Sequence, residues 1–209
     1  MSSAIAHSED LRVRLRSNVS SFEAVGADGE GLRAAAVALA IVGDEEGRAC
    51  FLLTRRAAGL RRHAGQWALP GGRLDPEEEP VAAALRELRE EVGLELDPGV
   101  VVGVLDDYPT RSGYRITPVV VWGPSRPALS PAEAEVVSVH LIPLDLLEAP
   151  EVPRLIPGVD PERPVIQIPL FGRFVHAPTA AILYQLREVG LHGRTTRVAH
   201  FDQPTFAWR

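Results

Sequence analysis

Residues 69–94 read LPGGRLDPEEEPVAAALRELREEVGL. Val81, Ala84, Leu85, Leu88 and Val92 recur at helical spacing and form one apolar stripe. Pro80 suits a first helical turn, where its missing N–H costs nothing, and Gly93 suits the position just past the end. A helix is therefore predicted over residues 80–92. On its wheel Glu87, Glu90 and Glu91 fall together, well away from the stripe. Carboxylates three and four apart repel. Glu90 and Glu91 also sit in the last turn, against the negative end of the helix dipole, a misplacement of up to about 1 kcal/mol each. Arg86 and Arg89 offset part of this. A solvated acidic face is the plain reading. A divalent-cation site is the other, because hard cations take clustered carboxylate oxygens. The paired glycines Gly71-Gly72 favour the second, since they permit a tight loop and close approach of a backbone carbonyl to a metal or ligand.

Outward from this helix, the chain reads as runs of strands. Residues 34–42 are a continuous apolar run of strand length and residues 50–54 a second, joined by the turn cluster 43–47. That pattern predicts a hairpin. Residues 55–77 show little periodicity and read mostly as loop. Strands are predicted over 100–106, 114–122 and 136–142. Pro118 cannot donate to a ladder, so its strand is expected at an edge or with a bulge. Residues 145–163 read as an irregular excursion, 165–170 and 172–175 as a late hairpin, and 178–189 as a helix started by proline and stopped by Gly190. In residues 1–31, Leu11 to Arg16 alternate like a strand, yet Ser8-Glu9-Asp10 looks like a helix start, and the two readings stay open. Runs of strands with separated helices predict an α/β (α+β) domain, layered α/β/α.

The 209-residue chain suffices for one generous domain. We expect an N-terminal extension over 1–31, the main domain over 32–195 and a tail over 196–209. The tail carries three aromatics and is expected to pack on the domain or on a partner subunit, the latter making a homodimer. The formal net charge of −6 gives no support to duplex nucleic-acid binding. The single cysteine, Cys50, allows no intrachain disulfide and reads as a buried, inert thiol. Acidic residues fall where a secretory signal would need its apolar core. No apolar stretch reaches the roughly 20 residues of a bilayer span. The expectation is a soluble, cytoplasmic protein without membrane or nucleic-acid partners.

From Gly72 onward the string is Gly72, five residues, Glu78, seven residues, then Arg86-Glu87-Leu88-Arg89-Glu90-Glu91-Val92-Gly93-Leu94. It resembles the box of the Nudix hydrolases at all nine specified positions, with the box's spacing. The resemblance implies a Nudix-type α/β/α sandwich with a mixed sheet and a catalytic loop-helix-loop. It implies Mg2+ or Mn2+ held by Glu87, Glu90 and Glu91, with Glu78 in support and a backbone carbonyl from Gly71. Arg86 would hold the glutamates in place by ion pairing. The implied chemistry is hydrolysis of a diphosphate in a small nucleotide substrate. The base that takes the proton from water varies in the family: Glu87 is one candidate, and Glu135, before the strand 136–142, is the candidate outside the box. A plain solvated residue is the alternative for Glu135.

Upstream, Leu52, Leu53, Thr54, Arg56, Leu60, Arg61, His63 and Gly65 resemble the signature of the coenzyme A pyrophosphatase branch, as does the stretch Tyr108 to Val120. Arg56, Arg61 and His63 are candidate substrate-binding residues, since arginine forks pair with phosphates such as the 3′-phosphate of coenzyme A. Pairing with the chain's surplus acids is the alternative. Ala57, Trp67 and Leu69 depart from the branch pattern, and Glu78 stands where the branch often has aspartate. Three readings follow: a coenzyme A or acyl-coenzyme A pyrophosphatase, a Nudix hydrolase of ADP-ribose or an oxidised nucleotide, and a non-catalytic ligand-binding module. The complete glutamate set argues against the third.

Overall fold

The computed structural model describes residues 4–27, 31–56 and 66–204. In chain order its elements begin with α1 (Glu9–Ser20), β1 (Arg33–Gly43), β2 (Ala49–Arg56), β3 (Trp67–Ala68), β4 (Gly71–Arg73) and α2 (Pro80–Val92). Then come β5 (Val101–Val104), β6 (Tyr108–Pro109), β7 (Tyr114–Ser125) and β8 (Val136–Pro143). A small antiparallel sheet follows, β9 (Arg154–Ile156), β10 (Val165–Leu170) and β11 (Arg173–His176), and then α3 (Thr179–Gln185), which runs into a wider π-type turn to Leu191.

In the main sheet β1 is central. It runs parallel to β7 from Arg33↔Tyr114 to Ile41↔Trp122, while its hairpin with β2 pairs only at the turn end, Ile41↔Phe51 to Gly43↔Ala49. Beyond that the two strands part. The gap holds the short strands β3, on β2 at Thr54↔Ala68, and β4, on β1 at Val37↔Gly71. Residues 66–73, expected to be loop, are thus partly strand; pieces of two or three residues carry no readable period. Arg61 and His63 lie outside the described residues.

Alternation along β1 splits the core in two. Ala36, Ala38, Ala40 and Val42 face Ala83, Ala84, Leu88 and Val92 of α2. Leu39 and Ile41 face the opposite layer, with Leu11, Leu15 and Val19 of α1 and Ile182 and Leu186 of the α3 region. The small alanines let α2 lie close to the sheet. Helix, mixed sheet, helices: this is the expected α/β/α layering.

At the N-terminus the Ser8 side chain caps α1 by accepting from the Leu11 N–H at 3.3 Å. Burial at 11, 15 and 19, with Val13 58% exposed, decides for helix over strand. Pro118 corrects the expectation of an edge: β7 is interior, between β1 and β5. The ladder tolerates the proline because the neighbouring strand breaks there, β5 ending at Val104↔Val119 and β6 starting at Tyr108↔Ile116. The Pro118 carbonyl still accepts from the Leu105 N–H at 3.0 Å.

Three remote segments meet at Asp106, which is 4% exposed. Its carboxylate accepts from the Val25 N–H at 2.8 Å, from Gln185 Nε2 at 2.7 Å and from Arg197 Nη1. The described part of the tail, to residue 204, lies along its own chain: Tyr108 Oη donates to the Phe201 carbonyl at 2.8 Å, and Val198 and Phe201 are buried. Asp106→Ala would strand these donors, a loss of about 2–4 kcal/mol. A lower urea midpoint is the expected result; an unchanged midpoint would show that the junction carries no net stability.

Candidate active site

The loop β4 and helix α2 are tied together by Arg86. Its Nε and Nη2 fork onto Glu78 Oε1 and Oε2, both at 2.9 Å. Nη1 reaches Glu87 Oε1 at 2.9 Å and Glu90 Oε2 at 3.1 Å, and Nη2 also donates to the Arg73 carbonyl at 3.0 Å. One planar cation therefore fixes three carboxylates and the loop before them, a geometry that an ammonium could not reproduce. Glu78 in turn accepts from the Asp75 N–H at 2.9 Å. The Arg86 fork holds the Glu78 carboxyl below its ordinary pKa.

Close approach explains the paired glycines. A Cβ on Gly72 would stand 2.1 Å from Glu87 Oε1, and one on Gly71 would stand 2.4 Å from the Ala36 carbonyl. At Gly71 the obstruction is backbone, so loop and central strand could not meet at this distance with a larger residue; at Gly72 it is the Glu87 carboxylate that would be displaced. Gly93, in the left-handed conformation, closes α2 by donating to the Arg89 carbonyl at 2.9 Å.

Glu91 corrects the picture of a solvated acidic face. It is 2% exposed, under the β4 loop, where it accepts from the Gly71 N–H at 3.3 Å and meets Arg56 Nη1 at 3.4 Å. Burial pushes its pKa up to about 7; Arg56 and the Gly71 N–H oppose this, and the charges of Glu87 and Glu135 add to it. Burial also raises Glu87, against Arg86, with Glu90 and Glu135 contributing in the same direction. Glu135 is thus electrostatically coupled to the cluster. Its turn precedes β8, and the Ala132 N–H of that turn donates to the Glu91 carbonyl at 3.0 Å.

Among the described residues, no three acidic, histidine or cysteine side chains already converge on one point. Glu87 and Glu90 instead point oxygens at Arg86. The donor chemistry nonetheless fits a hard divalent cation. Among the described residues Glu78, Glu87, Glu90 and Glu91 pair with three arginines, Arg56, Arg86 and the exposed Arg89, and burial raises the pKa of Glu87 and Glu91. Hard cations take oxygen ligands of this kind.

A cleft of about 370 Å3 opens beside the loop. Gly71, Gly72 and Arg73 form one wall with Arg56 and Trp67, and Thr110, Ser112 and Tyr114 form part of another. Tyr114 is gripped by two arginines, Arg33 lying 4.1 Å over its ring and Arg73 Nε donating to its hydroxyl at 2.9 Å. Gln203 of the tail also lines the cleft, and its Oε1 accepts from the Arg111 N–H at 2.7 Å. Arg111 forks onto buried Asp202 at 3.0 and 2.8 Å. Neither this clamp nor the Tyr114 stack was anticipated. The partners of the clamp lie 91 positions apart, and only the stretch around Ser112-Gly113-Tyr114 had hinted at the cleft wall.

Residues 32–161 match the NUDIX domain family. A Nudix hydrolase named NudL from Pectobacterium atrosepticum, itself described as uncharacterised, is 39% identical over 142 residues, 65% of this chain and 72% of the relative. Its counterpart from Citrobacter koseri is 42% identical over 113 residues, 54% of this chain and 58% of that one. The chain thus spans between half and three-quarters of the length of these relatives. Among solved structures, the MutT protein from Methanosarcina mazei is 26% identical with a TM-score of 0.46, covering 59% of this chain and 86% of that one.

The raised Glu91 carboxyl has a consequence for the chelator-treated protein. A folded-state pKa near 7, above the ordinary 4.5, favours folding while the group is protonated. That contribution is full below about pH 4.5 and is lost as pH rises through 7. Between pH 5 and 8 the parent should therefore lose stability relative to Glu91→Gln, by about 3 kcal/mol at most. Denaturant midpoints across this range measure it; parallel profiles would contradict the burial of an ionisable Glu91.

Proposed function

The chain belongs to the Nudix hydrolase family, and on that premise we propose that it hydrolyses the diphosphate of coenzyme A or acyl-coenzyme A, yielding 3′,5′-ADP and (acyl-)phosphopantetheine. One observation carries the choice of substrate. The two stretches that resemble the coenzyme A branch border a single cleft with the box glycines, through Arg56 on one side and Thr110, Ser112 and Tyr114 on the other. Arg56, with Arg61 and His63 beyond it in sequence, supplies cations for the 3′-phosphate that distinguishes coenzyme A from other diphosphate substrates. Arg56 also pairs with Glu91, so its share in binding phosphate competes with that contact.

Glu87, Glu90 and Glu91, supported by Glu78 and the Gly71 carbonyl, would hold Mg2+ or Mn2+. Such an ion neutralises diphosphate charge and makes water more acidic. Arg86 keeps the carboxylates aligned and is a positioning residue. Glu87 or Glu135 accepts the proton of the attacking water. Glu87 suits this because burial already raises its affinity for a proton. Gly72, without a side chain, leaves the approach to Glu87 open. The neighbouring Trp67 departs from the branch pattern and lines the cleft, so ADP-ribose and oxidised nucleotides are the substrates to set against coenzyme A.

A magnesium-dependent panel of coenzyme A, acetyl-coenzyme A, ADP-ribose, NADH and oxidised dGTP tests the reading. The highest kcat/KM is expected for the coenzyme A compounds, with 3′-dephospho-coenzyme A about ten- to a hundredfold worse. Glu90→Gln should lower kcat at least about a hundredfold, near 3 kcal/mol of barrier, with the fold retained because Glu90 is half exposed. Preference for another member of the panel would remove coenzyme A as substrate. Full activity of Glu90→Gln would remove the carboxylate site itself.

A further inference from the structure

A second cavity, of about 350 Å3, adjoins the cleft and shares Gln66, Trp67, Pro178 and Thr179 with it. Its remaining wall comes from the end of β2 and from the turn and strand Phe171–His176 of the small sheet. Aromatic rings dominate it. Trp67 and Phe171 lie 5.7 Å apart between centroids, tilted by 41°, and His140 stands 4.7 Å from Trp67 and 5.8 Å from Phe171. His140 stands outside the lining itself; Phe174 adds a further ring to it, partly exposed, under the Arg154 guanidinium at 4.9 Å.

Two features separate this wall from an ordinary packed surface. Phe171 holds a left-handed backbone, φ 48°, and still leaves its ring 67% exposed. A bulky side chain there is strained, and little burial compensates for it. The charge is also one-sided. In a chain of net charge −6, the lining includes Arg55 and Arg173 and no aspartate or glutamate among the described residues. Burial lowers the His140 pKa, and the nearby Arg55 charge adds to it. Exposed rings beside arginines suit the flat part of an anionic ligand: the base stacks on the rings, and the guanidinium charge favours an anion nearby.

We infer that this cavity is the nucleotide subsite of the enzyme, in which the adenine ring stacks on Phe171 and Trp67 while the nucleotide's 5′-phosphate, one half of the diphosphate, stays beside Gly71 and Gly72. The inference rests on the diphosphatase reading for its biological ligand. A substrate with its diphosphate beside Gly71 and Gly72 has two ends to house, and this cavity continues the cleft on the Trp67 side. The aromatic turn thereby sets specificity for a base rather than taking part in the chemistry.

The test is AMP binding to the full chain, measured by saturation-transfer NMR and by quenching of tryptophan fluorescence, with ribose 5-phosphate and phosphopantetheine as comparison ligands. Phe171→Asn removes the ring but suits a left-handed position, so the variant should fold at least as well as the parent. The expected result is saturable AMP binding, weakened about five- to a hundredfold by Phe171→Asn, with phosphopantetheine binding unchanged. An AMP affinity unaltered by Phe171→Asn would overturn the subsite, as would a loss confined to phosphopantetheine or no AMP binding by the parent. AMP binding lost in the variant, in a protein that cleaves no diphosphate, would uphold the subsite and reject the hydrolase reading instead.

Discussion

Three carboxylates on one helix and its loop, Glu78, Glu87 and Glu90, stand together here because Arg86 lies among them. Its fork on Glu78 and its bonds to Glu87, Glu90 and the Arg73 carbonyl convert a repulsive cluster into a fixed one. Charge-assisted bonds of this sort are worth about 1.5–3 kcal/mol each when removed singly, although the half-exposed contact to Glu90 contributes little. The clamp needs the loop and the helix at one distance, and the sheet provides it. The parting of β1 and β2 gives β4 its place, and the alanines of β1 let α2 approach. Gly72 then admits the Glu87 carboxylate where a methyl group could not fit.

The clamp does not neutralise the cluster. Glu91 is buried against two rather long contacts, to Arg56 and to the Gly71 N–H, and Glu87 is pulled between Arg86 and the neighbouring carboxylates. Both carboxyls gain a proton more readily than an exposed glutamate. An additional cation would relieve this imbalance. Such local conflict is expected where function, rather than packing, selects the residues.

Much of this was legible in the sequence, for a physical reason. The apolar stripe, Pro80 and Gly93 mark α2 through local rules, and the box spacing places the acids on it. The long apolar runs of β1 and β2 and the cap at Ser8 are equally local. What escaped was long-range. A helical wheel puts Glu91 beside Glu87 and Glu90 but cannot know that the β4 loop covers it. Pro118 looked like an edge residue because the break between β5 and β6 is invisible from within β7. The short strands β3 and β4 have no period to read, and the Arg111–Asp202 clamp joins segments that the sequence holds far apart.

The account stands on the claim that the Arg86-bound carboxylates form a divalent-cation site. Titration with Mn2+, followed by the paramagnetic resonance signal of the free ion, tests it without reference to turnover. The account predicts saturable binding to the parent and a loss of at least about tenfold in affinity for Glu87→Gln. Equal binding by parent and variant, or no binding by the parent, would contradict it.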